Sequence, residues 1–257
     1  MKAPAFDYAR PRDVAEAVKL LSVEGAKAAA GTQSLGPMLN LRVAHPTLLV
    51  DLRGIDELRF VSQHQDAVTI GACITHAEIE DGRVQDPTRG LMATVAANIS
   101  YRAVRNRGTI GGSLAHADPA ADWPTALTLL DAIAIIASPR GRREVPVERF
   151  VTGIFSTALE PDELLVAIRI SKRSASARYG YWKFCRKAGE FAQAIGAALH
   201  DPERNETRAV IGAIDGPPHL MKTLEITEEG LRAVGNDAYS RQLHRIALKR
   251  AVTQVFQ

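Results

Sequence analysis

NRGTIGGSLAHADPAADW, residues Asn106 to Trp123, carries the most information in this chain of 257 residues. Gly111 and Gly112 stand between two hydroxyl residues, Thr109 and Ser113. Paired glycines let backbone approach a phosphate closely, and the hydroxyls supply further donors. Asp118 and Asp122 follow at short spacing. A carboxylate there either accepts from a ribose hydroxyl or ring nitrogen, or caps a helix beginning near Pro119 or Trp123. For Asp118 the cap is preferred. No Gly-Lys-Ser/Thr follows, so the stretch is no P-loop, and it is not G-x-G-x-x-G after a first strand. A Rossmann reading loses ground accordingly.

A second turn lies upstream, where a short apolar strand over 26–30 runs into Ala30-Gly31-Thr32-Gln33-Ser34-Leu35. Small residues there let consecutive N–H groups converge on one anion, with Thr32, Gln33 and Ser34 adding side-chain donors. Taken singly, such a stretch is an ordinary turn after a strand. Together the two turns suit a ligand carrying two phosphates.

Outward from these turns, apolar spacing predicts a helix over 12–22 and strands over 47–52 and 68–74. Helical segments are expected from His76 to Glu80, over 90–100 and over 123–130, with strands over 132–137 and 164–170. The polar, Ser-rich run 172–178 reads as a linker. Beyond it, strands over 191–200 and 207–214 form a hairpin candidate around DPERNE, and helices are expected over 226–234 and 239–256. Helices and strands mix without strict alternation, so the fold class is α+β.

Composition excludes several functions. Lys and Arg number 32 against 29 Asp and Glu, giving a net charge of +3 that is mostly interleaved. The densest basic runs are Arg102, Arg105 and Arg107, then Arg140, Arg142 and Arg143, then Lys172, Arg173 and Arg178. The first borders the glycine turn, where cations either meet a phosphate or a partner's acidic face, or sit on a solvated loop. Only 5% of residues are aromatic, a poor supply for stacking bases, so no nucleic-acid partner is expected. No apolar run reaches the roughly 18 residues of a membrane helix, and no secretory leader is visible. Two cysteines, Cys73 and Cys185, give neither a disulfide framework nor a metal motif, and the seven histidines form no HxH or HxxxH pair. A reduced, cytoplasmic protein is the expectation.

AGTQSLGPMLNLR (30–42) and TIGGSLAHADPAAD (109–122) resemble the two pyrophosphate-binding signatures of the FAD-carrying medium subunit of molybdenum hydroxylases. This is the group of carbon monoxide dehydrogenase and the xanthine dehydrogenases. YWKFCRKAGEFAQA (181–194) and YSRQLHRIALKRA (239–251) are similar to the opening stretch and closing helix of that family's C-terminal domain. The resemblance spans nearly the whole chain in the right order. It implies a two-lobed FAD-binding domain of the PCMH type over 1–175, and a smaller α+β domain with an antiparallel sheet over 176–257. FAD would lie extended between the lobes, with its isoalloxazine end covered by the second domain.

By the same resemblance, Ala30 to Leu35 and Thr109 to Ser113 would cradle the pyrophosphate. Ile99 and Ser100 would sit near the cofactor, Asp122 would bond within the flavin site, and Leu165 would pack on it. Lys183 and Phe191 match a lysine and an aromatic that approach the isoalloxazine. Lys183 either stabilises a reduced flavin by its charge or is a surface lysine beside Arg186 and Lys187; His116 either approaches the ring or is a plain turn histidine. Tyr101 and Arg102 are candidate interface residues. Relatives often carry two glycines where this chain has Gly31-Thr32, and tyrosine where it has Phe191.

The function so implied is electron transfer. A large subunit would hold the molybdenum cofactor and a small subunit two 2Fe–2S clusters, since the two cysteines of this chain are too few for a four-cysteine cluster. The assembly would be a dimer of heterotrimers that hands electrons to an external acceptor. Two other classes remain open: a stand-alone FAD-dependent oxidoreductase of the same fold, and a non-enzymatic protein that binds another phosphorylated ligand.

Overall fold

The computed structural model describes residues 2–257. The first lobe contains β1 (Asp7–Ala9), α1 (Val14–Leu21), β2 (Ala26–Ala29), α2 (Leu35–Asn40) and β3 (Leu48–Asp51). Its strands are parallel in the order β1-β3-β2, so each connection must cross over, and α1 and α2 do so. Asp13 caps α1 by accepting from the Glu16 N–H at 2.7 Å. Val14, Ala17, Val18 and Leu21 recur at helical spacing and are buried with Val50, Leu52, Ile55 and Leu58.

The second lobe is built on β4 (Val61–Gln63), β5 (Ala67–Gly71), α3 (His76–Glu80), α4 (Leu91–Ala97), α5 (Arg102–Arg105), α6 (Ile110–His116) and α7 (Asp122–Leu129). It continues through β6 (Ile133–Ser138), β7 (Gly141–Pro146), α8 (Val147–Phe150), the ribbon β8 (Val151–Gly153) and β9 (Ser156–Thr157), and β10 (Leu164–Ser171). Five strands pair antiparallel in the order β4-β5-β10-β6-β7. The alternation in LLVAIRIS predicts one covered face, but β10 is central and both faces are covered: Leu165 and Ile168 lie in one core and Leu164 and Val166 in another.

The last sheet is the antiparallel meander β11 (Arg178–Phe184), β12 (Ala194–Asp201), β13 (Glu206–Gly212) and β14 (His219–Met221), followed by α9 (Ala238–Val255). A Cβ on Gly180 would meet the Ala251 carbonyl oxygen at 1.8 Å, so glycine lets α9 lie directly on β11. Tyr181, Ile195, Leu199 and Val210 of this sheet share one apolar core with Trp123 and Leu127 of α7. The α+β reading holds.

Three expectations change. The run expected as a linker is tied down: the Ser174 N–H donates to Asp201 at 3.1 Å, Ser176 to Glu203 at 2.7 Å, and Arg173 to the Leu130 carbonyl at 2.8 Å. The helix expected over 226–234 shrinks to one 3-10 turn, Gly230–Val234, because Thr227 takes the Gly230 N–H and Gly235 leaves the helix at φ 84. The basic runs are largely closed in ion pairs: Arg102 with Asp81 at 2.7 Å, Arg105 with Glu80 at 2.8 Å and Arg140 with Asp162 at 2.6 Å. Arg102 is therefore satisfied within the chain, and the run beside the glycine turn offers a phosphate little more than Arg107. Among the described residues no helix is long and apolar enough to cross a membrane.

Candidate functional site

A cavity of about 550 Å3 opens between the two lobes and reaches β11 of the last sheet. That volume suits a small-molecule or cofactor site. Of the residues expected at the site, Ile110 is buried in the core, and the rest line the cavity, from Ala30–Leu35 through Ile99, Ser100, Thr109, Gly111, Gly112, Ser113, Asp122 and Leu165 to Lys183 and Phe191.

At the first turn, the N–H groups of Gly31, Thr32, Gln33, Ser34 and Leu35 find no backbone acceptor among the described residues. Five unengaged donors on one short loop beside a cavity are what an anion site requires. A Cβ on Gly31 would lie 2.0 Å from the Arg107 carbonyl oxygen, so this glycine lets the two turns touch. Gln33 differs from expectation: its amide donates to the Gly31 carbonyl at 3.0 Å and braces the loop. Thr32 holds φ +58, a left-handed conformation that a β-branched residue adopts at a cost. Thr32→Gly is therefore expected to raise stability by about 0.5–1 kcal/mol, strain relief exceeding the added unfolded-chain entropy. Urea denaturation of the two proteins checks this, and an unchanged or lower midpoint contradicts it.

At the second turn the paired glycines divide the work. The sequence stretch is the start of α6, and its donors are mostly engaged: Ile110 with the Ile74 carbonyl at 3.0 Å, Gly111 with Ala72 at 3.0 Å, and Gly112 with Thr109 Oγ1 at 3.0 Å. The N–H cradle expected here thus belongs chiefly to the first turn. Gly111 is a packing residue, since its Cβ would fall 2.4 Å from that of Ala72. Gly112 faces the first turn, with Ala30 Cβ 3.7 Å from where its own would be. Asp118 is not the helix cap: it accepts from the Ala120 N–H at 2.9 Å, while Ala121 occupies the cap of α7.

At the far end Asp122 is buried at the first position of α7. Its carboxylate accepts from Tyr181 Oη at 2.6 Å and pairs with Lys183 Nζ at 2.9 Å. Lys183 also donates to the Asn98 carbonyl at 2.7 Å. Burial pushes the Asp122 carboxyl up, opposed by the ammonium and the two hydrogen bonds, and pushes the Tyr181 hydroxyl well up. The Lys183 charge is thus neutralised in place, and Asp122 spends its oxygens on the protein. Leu165 lies where the register of β10 against β6 shifts, and Phe191 is 64% exposed at the rim. His116 packs against Phe155 at 5.1 Å between ring centroids, and burial pushes its imidazole down.

Sequence reasoning missed Tyr181, His76 and Phe155, and placed Arg105 in an open basic run. Tyr181 and Lys183 stand two apart on β11 and share a face, a period-2 signal present in YWKF. His76 was hidden because its partner is distant: Nδ1 accepts from Trp123 Nε1 at 3.1 Å. Burial pushes His76 down to about 3, so the folded protein keeps it neutral while the unfolded chain protonates near pH 6.5. Its stabilising share is complete above about pH 6.5 and falls by about 1.4 kcal/mol per pH unit below it. Urea titrations between about pH 7 and 5 are expected to show this slope, and His76→Gln to flatten it. Equal slopes in the two proteins would contradict that assignment.

A two-lobed α+β chain with a loop of unengaged N–H donors, a glycine opening and a buried ion pair around one cavity has the make-up of a nucleotide-cofactor protein. Residues 4–172 match the family model described as the FAD binding domain in molybdopterin dehydrogenase. The chain is 36% identical over 231 residues to the 6-hydroxypseudooxynicotine dehydrogenase complex subunit alpha of Paenarthrobacter nicotinovorans, covering 88% of this chain and 77% of that one. It is 38% identical over 196 residues to the carbon monoxide dehydrogenase medium chain of Hydrogenophaga pseudoflava, covering 76% and 68%. A solved structure of the Hydrogenophaga pseudoflava carbon monoxide dehydrogenase lacking the Mo-pyranopterin moiety matches with a TM-score of 0.90 at 30% identity, covering 100% of this chain and 99% of that one. The chain belongs to the FAD-binding medium-subunit family of the molybdenum hydroxylases, an oxidoreductase component whose cofactor is FAD. The residues present fit that group: unpartnered N–H donors at the first turn, and at Gly112 an opening that a Cβ would fill.

Proposed function

We propose that this chain is the electron-transfer subunit of a heterotrimeric molybdenum hydroxylase. The observation that carries it is the convergence of both turns and β11 on one cavity. FAD, when bound, supplies the chemistry that joins one-electron donation from a partner's 2Fe–2S clusters to an external acceptor. Within the chain, the Gly31–Leu35 donors and the Gly112 opening hold the pyrophosphate. Ile99, Ser100, Leu165 and Phe191 flank the ring, and the Asp122–Lys183 pair fixes a neutral polar surface there. In this reading residues 1–175 form the FAD domain and 176–257 a second domain over the isoalloxazine end. The partners are a large molybdenum-cofactor subunit and a small iron–sulfur subunit, as a dimer of heterotrimers in the cytoplasm.

Affinity purification of the chain from its native cell tests the assembly. Metal analysis of the eluate is expected to find molybdenum and iron with two further polypeptides. A flavoprotein that elutes alone, free of both metals, would favour a stand-alone oxidoreductase of the same fold.

A further inference from the structure

Arg105 belongs to the basic run before the glycine turn, yet its side chain is only 12% exposed. Nε and Nη2 hold the two oxygens of Glu80 at 2.8 and 2.9 Å, a bidentate grip across α3. Nη1 points the other way and donates to the carbonyls of Ile99 and Ser100, at 3.0 and 2.9 Å. Glu80 is itself braced by Arg102 at 2.7 Å. Ser100 adopts φ +43, a conformation that the neighbouring structure must impose on a non-glycine residue.

A trans peptide is planar, so each N–H points opposite the carbonyl that precedes it. Turning the Ile99 carbonyl toward Arg105 therefore turns the Ser100 N–H away from it. That N–H donates to no acceptor among the described residues. Ile99 and Ser100 line the cavity, and Arg105 stands behind them outside its lining. We infer that Arg105 is a positioning residue: by gripping the Ile99 and Ser100 carbonyls from behind, it aims the Ser100 N–H at an acceptor atom of the FAD held in the cavity. This rests on the reading that the cavity holds FAD. A rigid guanidinium fork suits the task because it bridges a carboxylate and two carbonyls at once, which a lysine ammonium cannot do in the same geometry.

The test uses the full chain, with FAD as the probe. In the wild-type protein, residue-resolved hydrogen exchange at the Ser100 amide is expected to slow about 10-fold or more on FAD binding, as for an amide newly engaged in a hydrogen bond. Arg105→Lys is expected to weaken FAD binding about 10-fold and to shift the visible circular dichroism of the flavin. Glu80→Gln, which cuts the same network while leaving Arg105 on the carbonyls, is expected to change both far less. Ser100 exchange that is indifferent to bound FAD would overturn the inference, and it can be read even if Arg105→Lys does not fold. Matching affinity and flavin spectra in the two variants would overturn it too. A wild-type chain that takes up no FAD would instead sink the underlying cofactor reading.

Discussion

Gly112→Val is expected to weaken FAD binding by about 100-fold or more, equivalent to about 2.7 kcal/mol. A Cβ there would lie 2.7 Å from Thr109 Oγ1, the hydroxyl that caps α6, and 3.7 Å from Ala30 Cβ on the facing turn. Valine adds two methyl groups to that crevice, so it both displaces the cap and fills the space between the turns. Gly111→Ala provides the contrast. Its methyl would fall 2.4 Å from Ala72 Cβ, inside the packed joint between α6 and the end of β5, and so acts on folding. Flavin content after purification and titration of the apoprotein separate the two effects. Full flavin occupancy in Gly112→Val would show that the second turn does not flank the cofactor.

Asp122→Asn is expected to destabilise the protein by about 3–5 kcal/mol, because it strands the Lys183 ammonium in a buried position. Among the described residues that ammonium's other hydrogen bond is to the Asn98 carbonyl, and the Tyr181 hydroxyl loses its charged acceptor. Replacing both partners removes the buried charges together, so Asp122→Asn with Lys183→Met is expected to recover most of the loss. Urea denaturation of the two single variants and the double variant supplies the cycle. Additive losses would mean that the pair is not coupled. Freed from Asp122, Lys183 would also place an uncompensated positive charge beside the cofactor, and the flavin potential of the holoprotein is expected to rise. The effect anticipated for Lys183 from sequence thus belongs to the variant more than to the wild type.

The two glycine turns were legible because each is a local feature: a strand, small residues and hydroxyls in order. Their joint service to one two-phosphate ligand was read from the turns themselves; the placement of that ligand between two lobes came from the family resemblance. No local pattern says that Gly31 abuts the Arg107 carbonyl. The roles of the donors were harder still. Gly111 and Gly112 look alike in sequence, and only packing against Ala72 shows that one serves the fold and the other the opening. The amphipathic helix α1 and the alternating strand β10 were visible in their periodicity. β1, β4 and β14 were not, since three residues carry too little pattern to stand out. Charge was misread where its partner is remote: Arg105 looked available until Glu80, distant in sequence, was seen to close on it. The Ser-rich run likewise looked like a linker because Asp201 and Glu203, which bind its serines, lie at the far end of the two strands β11 and β12.

The proposed electron transfer into this subunit is tested most directly by anaerobic rapid mixing of the FAD-loaded chain with the iron–sulfur protein that the proposal expects to co-purify, reduced beforehand and freed of excess reductant. The expected result is bleaching of the flavin absorbance together with recovery of the oxidised cluster spectrum, and no bleaching when the partner is omitted. A flavin that stays oxidised beside the reduced partner, yet bleaches on addition of dithionite, would contradict the assignment of this chain as the station that receives electrons from the clusters.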